Sequence, residues 1–380
     1  MKKSILIIIF SIISQNVGHS QTITEPLNSL GEKTSFDTKY SLQIAGGNES
    51  NPLSVADAVG SSFVQVSPRV KFESEIGDTF LILNVQGAVK SFQKEIVSNA
   101  GDSRQAQADL GVTQFFNAHH EVGATVSALV GQNNEIAYTA EGVDLDGRTV
   151  AYDNLYLDTY YGFNESQYSV FAKVISKRKQ FNKGQFDELL NEQKKSYEEL
   201  AGQLLLNLHP TSTAEIELVS GISRRVYSAE TARNTEGSID LTNPTLSELH
   251  RFLGAKAKID LGGLELKAGA DFTVEEDEVY NALDAQNIST QVGLSLQALP
   301  QLKVSLNANR SQKDYANFVQ DPFDNPETSG LRKDQESGVS LELKFLDTLS
   351  MQYSEKKYET NYVGGEDYQN QSIQFNYLIQ

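Results

Sequence analysis

The sequence predicts an all-β fold, namely a transmembrane antiparallel up-and-down β-barrel of about sixteen strands. Three observations predict it: apolar residues at every second position, connections that alternate between short and long, and an N-terminal segment typical of export. Such barrels keep both chain ends in the periplasm, so we expect short periplasmic turns and long extracellular loops.

The N-terminus has the features of a secretory signal peptide. Lys2 and Lys3 precede an apolar run over 5–13 that is too short to span a bilayer, and small residues surround position 20. We therefore expect three segments: a signal peptide at 1–20, a short periplasmic tail at 21–34 and an outer-membrane barrel at 35–380.

The alternation is clearest between Leu264 and Phe272, where every second residue is apolar and Glu265 and Lys267 stand between them. A strand with this pattern has one apolar face and one polar face. Sixteen stretches show it, near 36–46, 61–75, 79–93, 104–116, 120–131, 151–163, 166–179, 195–208, 213–227, 248–260, 263–275, 287–298, 301–313, 333–346, 348–358 and 368–380. Each is long enough for a tilted strand to cross a bilayer.

The connections between these stretches alternate in length, and the first one is long, as a barrel with periplasmic ends requires. The long connections are expected near 47–60, 94–103, 132–150, 180–194, 228–247, 276–286, 314–332 and 359–367. Pro68 falls inside a predicted strand, where the missing N–H predicts a local bulge or bend.

Aromatic residues near the strand ends predict two belts at the membrane surfaces. The belt near the short turns would contain Phe115, Phe116, Tyr161, Phe163, Tyr168 and Phe345. The belt near the long loops would contain Phe92, Tyr227, Phe252, Tyr315 and Tyr368.

The chain carries a net charge of −18 and has no cysteine. A nucleic-acid partner is therefore not expected, because phosphate binding needs a basic surface, and an exported chain without cysteine has no disulfides. The expected partners are outer-membrane lipid and, during biogenesis, the barrel-assembly machinery. The alternation of Ile373, Phe375 and Tyr377 near the end of the chain resembles the C-terminal signal that this machinery recognises, without its terminal aromatic residue.

The polar faces of the strands predict a lumen lined by charges of both signs, and sixteen strands enclose an aqueous channel. The pore-lining candidates are Lys39, Arg69, Lys71, Lys90, Asp109, Asp158, Lys173, Glu215, Glu217, Lys256, Lys258, Glu265, Lys267, Asp271, Lys303, Glu342 and Lys344. The alternative interpretation of each charge is a structural ion pair between neighbouring strands. Because the two signs balance, the excess acidic residues should lie mostly in the outer loops and the N-terminal tail.

No catalytic residue, metal ligand or cofactor is predicted, and the protein is not expected to be an enzyme. His119 and His120 would lie at a turn, without a recognisable serine or carboxylate partner. Two acidic segments, 144–147 with the look of a cation-binding turn and 275–278, have oxygen ligands that suit Ca²⁺. Neither has the spacing of a complete calcium loop, so solvated acidic loops are the preferred interpretation.

Two segments of the N-terminal third carry a family resemblance. The first strand runs into Gly46-Gly47-Asn48-Glu49-Ser50-Asn51-Pro52, and the second contains Ser62-Phe63-Val64-Gln65-Val66-Ser67-Pro68-Arg69-Val70. These segments resemble the beta-barrel porin 2 family, which is found with exopolysaccharide biosynthesis. The resemblance implies a barrel that takes part in moving a secreted polysaccharide across the outer membrane, with the polysaccharide and a separate periplasmic export protein as partners.

Three functions remain open at this point. The first is an outer-membrane channel for export of an exopolysaccharide or capsular polysaccharide. The second is a general diffusion porin for small hydrophilic solutes, in which the segment 314–332, with Tyr315, Phe318, Val319 and Phe323, would constrict the pore. The third is a surface-binding or structural barrel that acts through its acidic loops.

Overall fold

A computed structural model of the chain describes residues 34–52, 59–94, 97, 101–139, 142–181, 196–232, 243–319, 330–362 and 367–379. The predicted signal peptide and N-terminal tail lie outside this part of the chain, except that the first strand already begins at Thr34. No helix among the described residues is long and apolar enough to cross a membrane.

Sixteen antiparallel strands form one closed barrel in which each strand pairs with its neighbours in sequence, and β1 pairs with β16. The predicted fold is confirmed. The strands are β1 (Thr34–Glu49), β2 (Ser61–Ile76), β3 (Thr79–Phe92), β4 (Ser103–Phe115), β5 (His120–Thr139), β6 (Gly142–Asn164), β7 (Tyr168–Phe181), β8 (Tyr197–Thr211), β9 (Ala214–Thr231), β10 (Thr245–Asp260), β11 (Leu264–Asp277), β12 (Ala285–Leu299), β13 (Leu302–Val319), β14 (Leu331–Phe345), β15 (Leu349–Thr360) and β16 (Tyr368–Ile379).

The barrel closes through a short antiparallel ladder between the first and last strands. Its register runs from Leu42 opposite Ile379 to Glu49 opposite Ser372. Closure leaves no free sheet edge along this ladder, which is how strands can satisfy their backbone groups inside a membrane.

The outer face of the barrel carries the apolar phase of each strand. On β7, for example, Val170 and Val174 are 36 % and 55 % exposed, whereas Lys173 and Lys177 between and beyond them are half-buried. Side chains inside a closed barrel crowd one another, so the half-buried polar phase is the inner one. On β11 the apolar face from Leu264 to Phe272 is about 20 Å high after allowance for strand tilt.

Connections on the periplasmic side are two to four residues long, as the sequence predicted. One of the predicted long loops is wrong. The segment 132–150 forms the tall upper part of the β5–β6 hairpin, and both strands continue to Thr139 and Gly142. Asp144, which was expected in a cation-binding turn, lies in β6 opposite Ala137, and residues 145–147 continue the same strand.

The β10–β11 turn depends on two glycines. Gly262 and Gly263 have φ values of +74° and +108°, where a side chain would strain the backbone. We expect Gly263→Ala to lower the free energy of unfolding by about 1–3 kcal/mol, measured by urea titration of the barrel in detergent. Gly87→Ala is the control, because its new methyl group would meet its nearest atom at an ordinary 3.6 Å. Equal urea midpoints for Gly263→Ala and Gly87→Ala would show that the backbone conformation at residue 263 does not require glycine.

The aromatic belt near the short turns lies on the outer face. Phe115, Tyr161, Tyr168 and Phe345 are each about two-fifths to one-half exposed there. The predicted second belt is wrong, because its members belong to the inner phase of their strands. Phe92, for example, pairs in register with the inward Phe63, and Tyr227 pairs with Tyr197. The other three are Phe252, Tyr315 and Tyr368.

The predicted bulge at Pro68 is also wrong. The register between β2 and β3 is the same on both sides of it, with Val66 opposite Val89 and Arg69 opposite Gln86. The ladder to β3 omits only the pairs at Ser67 and Pro68, while Pro68 remains opposite Leu42 of β1. One missing donor is therefore accommodated without a shift of the strand.

Candidate functional site in the barrel lumen

All of the predicted pore-lining residues lie on the inner face. The register brings several of them together: Lys71 pairs with Asn84 and Asn84 with Asp109, while Lys258 pairs with Glu215 and Lys267. This placement gives them access to the lumen, and their role in conduction stays a prediction.

Most of these charges form ion pairs with neighbours on the same face. Glu265 accepts from both Lys258 at 3.2 Å and Lys267 at 2.8 Å, and Lys256 binds Glu217 at 2.8 Å. The remaining pairs that involve predicted lining residues are Lys39–Asp37, Lys39–Glu73, Lys71–Glu73, Lys90–Glu49, Lys173–Asp158 and Lys344–Asp347. Much of the lining charge is therefore neutralised within the wall.

Amide side chains connect the charges on the β2–β4 wall. Arg69 donates to the Oδ1 atom of Asn84 at 2.6 Å, and the Nδ2 atom of Asn84 donates to Asp109 at 2.9 Å. Gln107 also donates to Asp109, at 2.7 Å. Networks of this kind hold their members in fixed positions, so this wall presents an ordered, hydrated polar surface.

The sequence interpretation missed the aromatic residues of the lumen. Tyr152, Tyr156 and Tyr160 lie on the inner face of β6, in the same phase as the predicted lining residue Asp158. Counting in steps of two from Asp158 in both directions would have found all three. Tyr160 donates or accepts a 3.0 Å hydrogen bond with the Thr113 hydroxyl, two strands away.

Two of these rings lie over glycines of the neighbouring strand. Tyr160 occupies the space that a Cβ of Gly123 would fill, and Tyr152 does the same at Gly131. In the same way, Phe171 of β7 covers Gly162 of β6, and Phe252 of β10 covers Gly221 of β9. Each of these four rings therefore occupies space on the inner face that the glycine beside it leaves open.

The segment 314–332, which was expected to constrict the pore, begins as part of a strand. Tyr315, Phe318 and Val319 belong to β13, and Phe323 lies outside the described residues. Tyr315 and Phe318 are 9 % and 4 % exposed and pack with Tyr362, under the guanidinium group of Arg332. They form a packed cluster between strands, not a loop that folds across the pore.

The acidic run at Glu275–Glu278 was predicted as a solvated loop, but its side chains have partners in the structure. Lys313 binds Glu275 at 2.5 Å, Arg251 binds Glu276 at 2.8 Å and Arg224 binds Glu278 at 2.8 Å. Asp277 is 1 % exposed, and its Oδ1 atom accepts the N–H of Val279 at 3.0 Å. This carboxylate orders the turn after β11.

Glu278, the first residue of this loop, gives the barrel a pH-dependent contact. The Ser247 hydroxyl and then Arg224 lower the pKa of the Glu278 carboxyl below its usual value of about 4.3. Because the pKa is lower in the folded than in the unfolded protein, the ionised carboxylate stabilises the fold at pH values above the usual pKa. This stabilisation is lost as the pH falls through the lowered pKa. We expect the thermal midpoint to fall between pH 5 and 3 by more in the parent protein than in Glu278→Gln. If the thermal midpoints of the two proteins fell equally with pH, Glu278 would not be the source of this pH dependence.

The histidines take structural positions. His119 and His120 lie at the β4–β5 turn, where the Nδ1 atom of His119 is 3.0 Å from the Asn164 carbonyl oxygen and His120 contacts the Tyr161 hydroxyl at 2.5 Å. His250 lies on the inner face of β10, 3.2 Å from Glu248. Within the described residues, no three histidine or carboxylate side chains are grouped as metal ligands.

No protein-family model matches the chain, and no curated protein is similar to it in sequence. Solved structures do resemble it. OmpTdeltaL8, a loop-deletion mutant of the Vibrio cholerae outer membrane protein OmpT, has a TM-score of 0.50 at 10 % identity, over 90 % of this chain and 99 % of its own. CdiB from Escherichia coli has a TM-score of 0.52 at 12 % identity, over 89 % of this chain and 63 % of its own.

The chain has the fold of a Gram-negative outer-membrane β-barrel. Acinetobacter baumannii OccAB3 is a further similar structure, with a TM-score of 0.48 at 7 % identity, over 90 % of this chain and 99 % of its own. The apolar outer face agrees with this fold, because a closed barrel with such a face is stable only in lipid. The outer membrane is therefore the location of this barrel.

Proposed function

We propose that this barrel is an outer-membrane channel that takes part in moving a polysaccharide across the outer membrane, and that it is not an enzyme. The observation that carries the proposal is the inner face, where ion pairs neutralise most of the charge and amide and hydroxyl groups fill the spaces between them. Such a lining hydrates a polyhydroxylated chain without holding it, and transport needs sites that are weak enough to leave.

The resemblance of 46–52 and 62–70 to the beta-barrel porin 2 family points in the same direction. A periplasmic export protein would deliver the polymer to the short-turn side of the barrel. The alternatives are a general diffusion porin, which the sixteen-strand lumen also permits, and a barrel that acts through its outer loops.

The test is the conductance of the refolded protein in a planar bilayer, recorded with and without neutral and acidic polysaccharides. The proposal expects a steady conductance that a polysaccharide interrupts reversibly. Conductance that no polysaccharide affects would favour the diffusion porin. Absence of conductance in a protein shown to be folded would overturn the open-channel proposal in favour of a role for the outer loops.

A further inference from the structure

One side of the lumen combines aromatic rings with lysines. This tyrosine–lysine wall consists of Tyr152, Tyr156 and Tyr160 on β6, Lys173, Lys177 and Lys179 on β7, and Tyr197 on β8. We propose that the wall is a track of weak sites for an acidic saccharide chain, with pyranose rings stacked on the tyrosines and carboxylates in exchangeable contact with Lys177 and Lys179. The inference rests on the proposed function and names the chemical class of its polymer.

The spacing of the tyrosines suits an extended ligand. They recur at every fourth residue of one strand, so their rings share a face and are about 13 Å apart along it. Tyr160 and Tyr152 lie over Gly123 and Gly131, and the Nζ atoms of Lys173 and Lys179 lie over these two rings, 5.7 and 5.3 Å from their centroids. The C–H face of a pyranose ring stacks on an aromatic ring, and the repeat offers one site after another.

Two lysines of the wall lie over aromatic rings. The Nζ atom of Lys179 is 5.3 Å from the ring centroid of Tyr152, and that of Lys177 is 5.4 Å from the centroid of Tyr197. Glu199, the register partner of Lys177, is bound by Arg225 at 2.9 Å. Among the described residues, neither Lys177 nor Lys179 has a carboxylate within ion-pair distance, whereas Lys173 is 3.8 Å from Asp158.

The opposite side of the lumen has a different chemistry. Gln291, Asn307 and Asn309 line the cavity next to the paired Lys256 and Lys267. The residues that line this cavity offer hydrogen bonds but include no aromatic ring. Stacking on one wall with hydration on the other allows a chain to slide along its length, as multi-site conduction requires.

The test is calorimetric titration of the folded protein in detergent with a short oligogalacturonate, compared with a neutral malto-oligosaccharide of equal length. We expect the acidic oligomer to bind more tightly, and Lys177→Gln and Lys179→Gln each to weaken its binding about five-fold, the effect of one charge contact in water. Tyr156→Leu should weaken both oligomers. Lys303→Gln is the matched control, because it removes an inward lysine from β13 on the opposite side.

The proposal would be overturned if the two oligomers bound with equal affinity, or if Lys177→Gln and Lys303→Gln lost the same affinity for oligogalacturonate. The readout does not depend on conductance, so the two proposals can fail separately. Binding in a protein that does not conduct would retain the track and exclude the channel. Conductance interrupted by polysaccharide, in a protein that fails to bind oligogalacturonate, would retain the channel and exclude the track. Each variant is first shown to be folded by its heat-dependent mobility in a gel.

Discussion

Gly47→Ala should prevent the barrel from closing. Gly47 lies in β1 opposite Gln374, and a methyl group added there would overlap the carbonyl oxygen of Ile373 and lie 2.9 Å from the Gln374 Cα atom. These are backbone atoms of β16, which cannot turn aside as a side chain can. We expect a loss of about 3 kcal/mol or more in the free energy of unfolding, above the usual cost of overpacking.

The matched control for this variant is the adjacent glycine. At Gly46 the nearest atom to an added methyl group would be the Phe63 carbonyl oxygen at 3.6 Å, an ordinary contact, so Gly46→Ala should fold normally. Folding is measured by heat-dependent gel mobility and by the urea midpoint. A folded Gly47→Ala with the midpoint of Gly46→Ala would show that the first and last strands pair in another register.

The strands could be predicted from the sequence because each is long and faces lipid on one side and water on the other. Those two conditions impose a period of two that few other structures sustain for ten residues or more. The alternation does not extend to 132–150, where the β5–β6 hairpin continues beyond the apolar band. Both faces of a hairpin in water can be polar, so the alternation disappears although the strands continue.

The second aromatic belt failed for another reason. The distance of a residue from the strand end gives the position of its ring along the barrel axis. Only the alternation of the strand shows whether the ring is on the inner or the outer face. Phe92 is two residues from the inward Lys90, and Tyr227 is two residues from the inward Arg225, so both phases could have been read correctly. The same rule would have found the tyrosines of β6.

The mixed charge of the lumen could be predicted, but the partners of each charge could not. Pairing depends on how far each strand is shifted against its neighbour, and a single strand does not contain that information. Lys258 and Lys267 are directly opposite each other, and their shared contact with Glu265 follows from the register of β10 and β11 alone. Likewise, nothing in the sequence of β5 shows that Gly123 would lie beneath Tyr160.

The second large effect is expected at this glycine. A methyl group in Gly123→Ala would collide with the Tyr160 ring, which packs against Phe171 at 5.8 Å between centroids and bonds Thr113 at 3.0 Å. The ring must leave the wall and turn into the lumen. We expect the free energy of unfolding to fall by about 1–3 kcal/mol, the usual cost of overpacking, and the conductance to fall because the ring narrows the path.

The Gly123→Ala/Tyr160→Ala double variant identifies the cause. If the collision alone is responsible, removal of the ring relieves it, and the double variant is less destabilised than the sum of the two single changes. Its conductance should return at least to the parent value. Gly111→Ala is the control on the inner face of β4, since its nearest neighbour would be the Thr125 hydroxyl at 3.5 Å. If the losses in free energy of unfolding of the two single variants add up in the double variant and the conductance is unchanged, the position of the Tyr160 ring does not depend on Gly123.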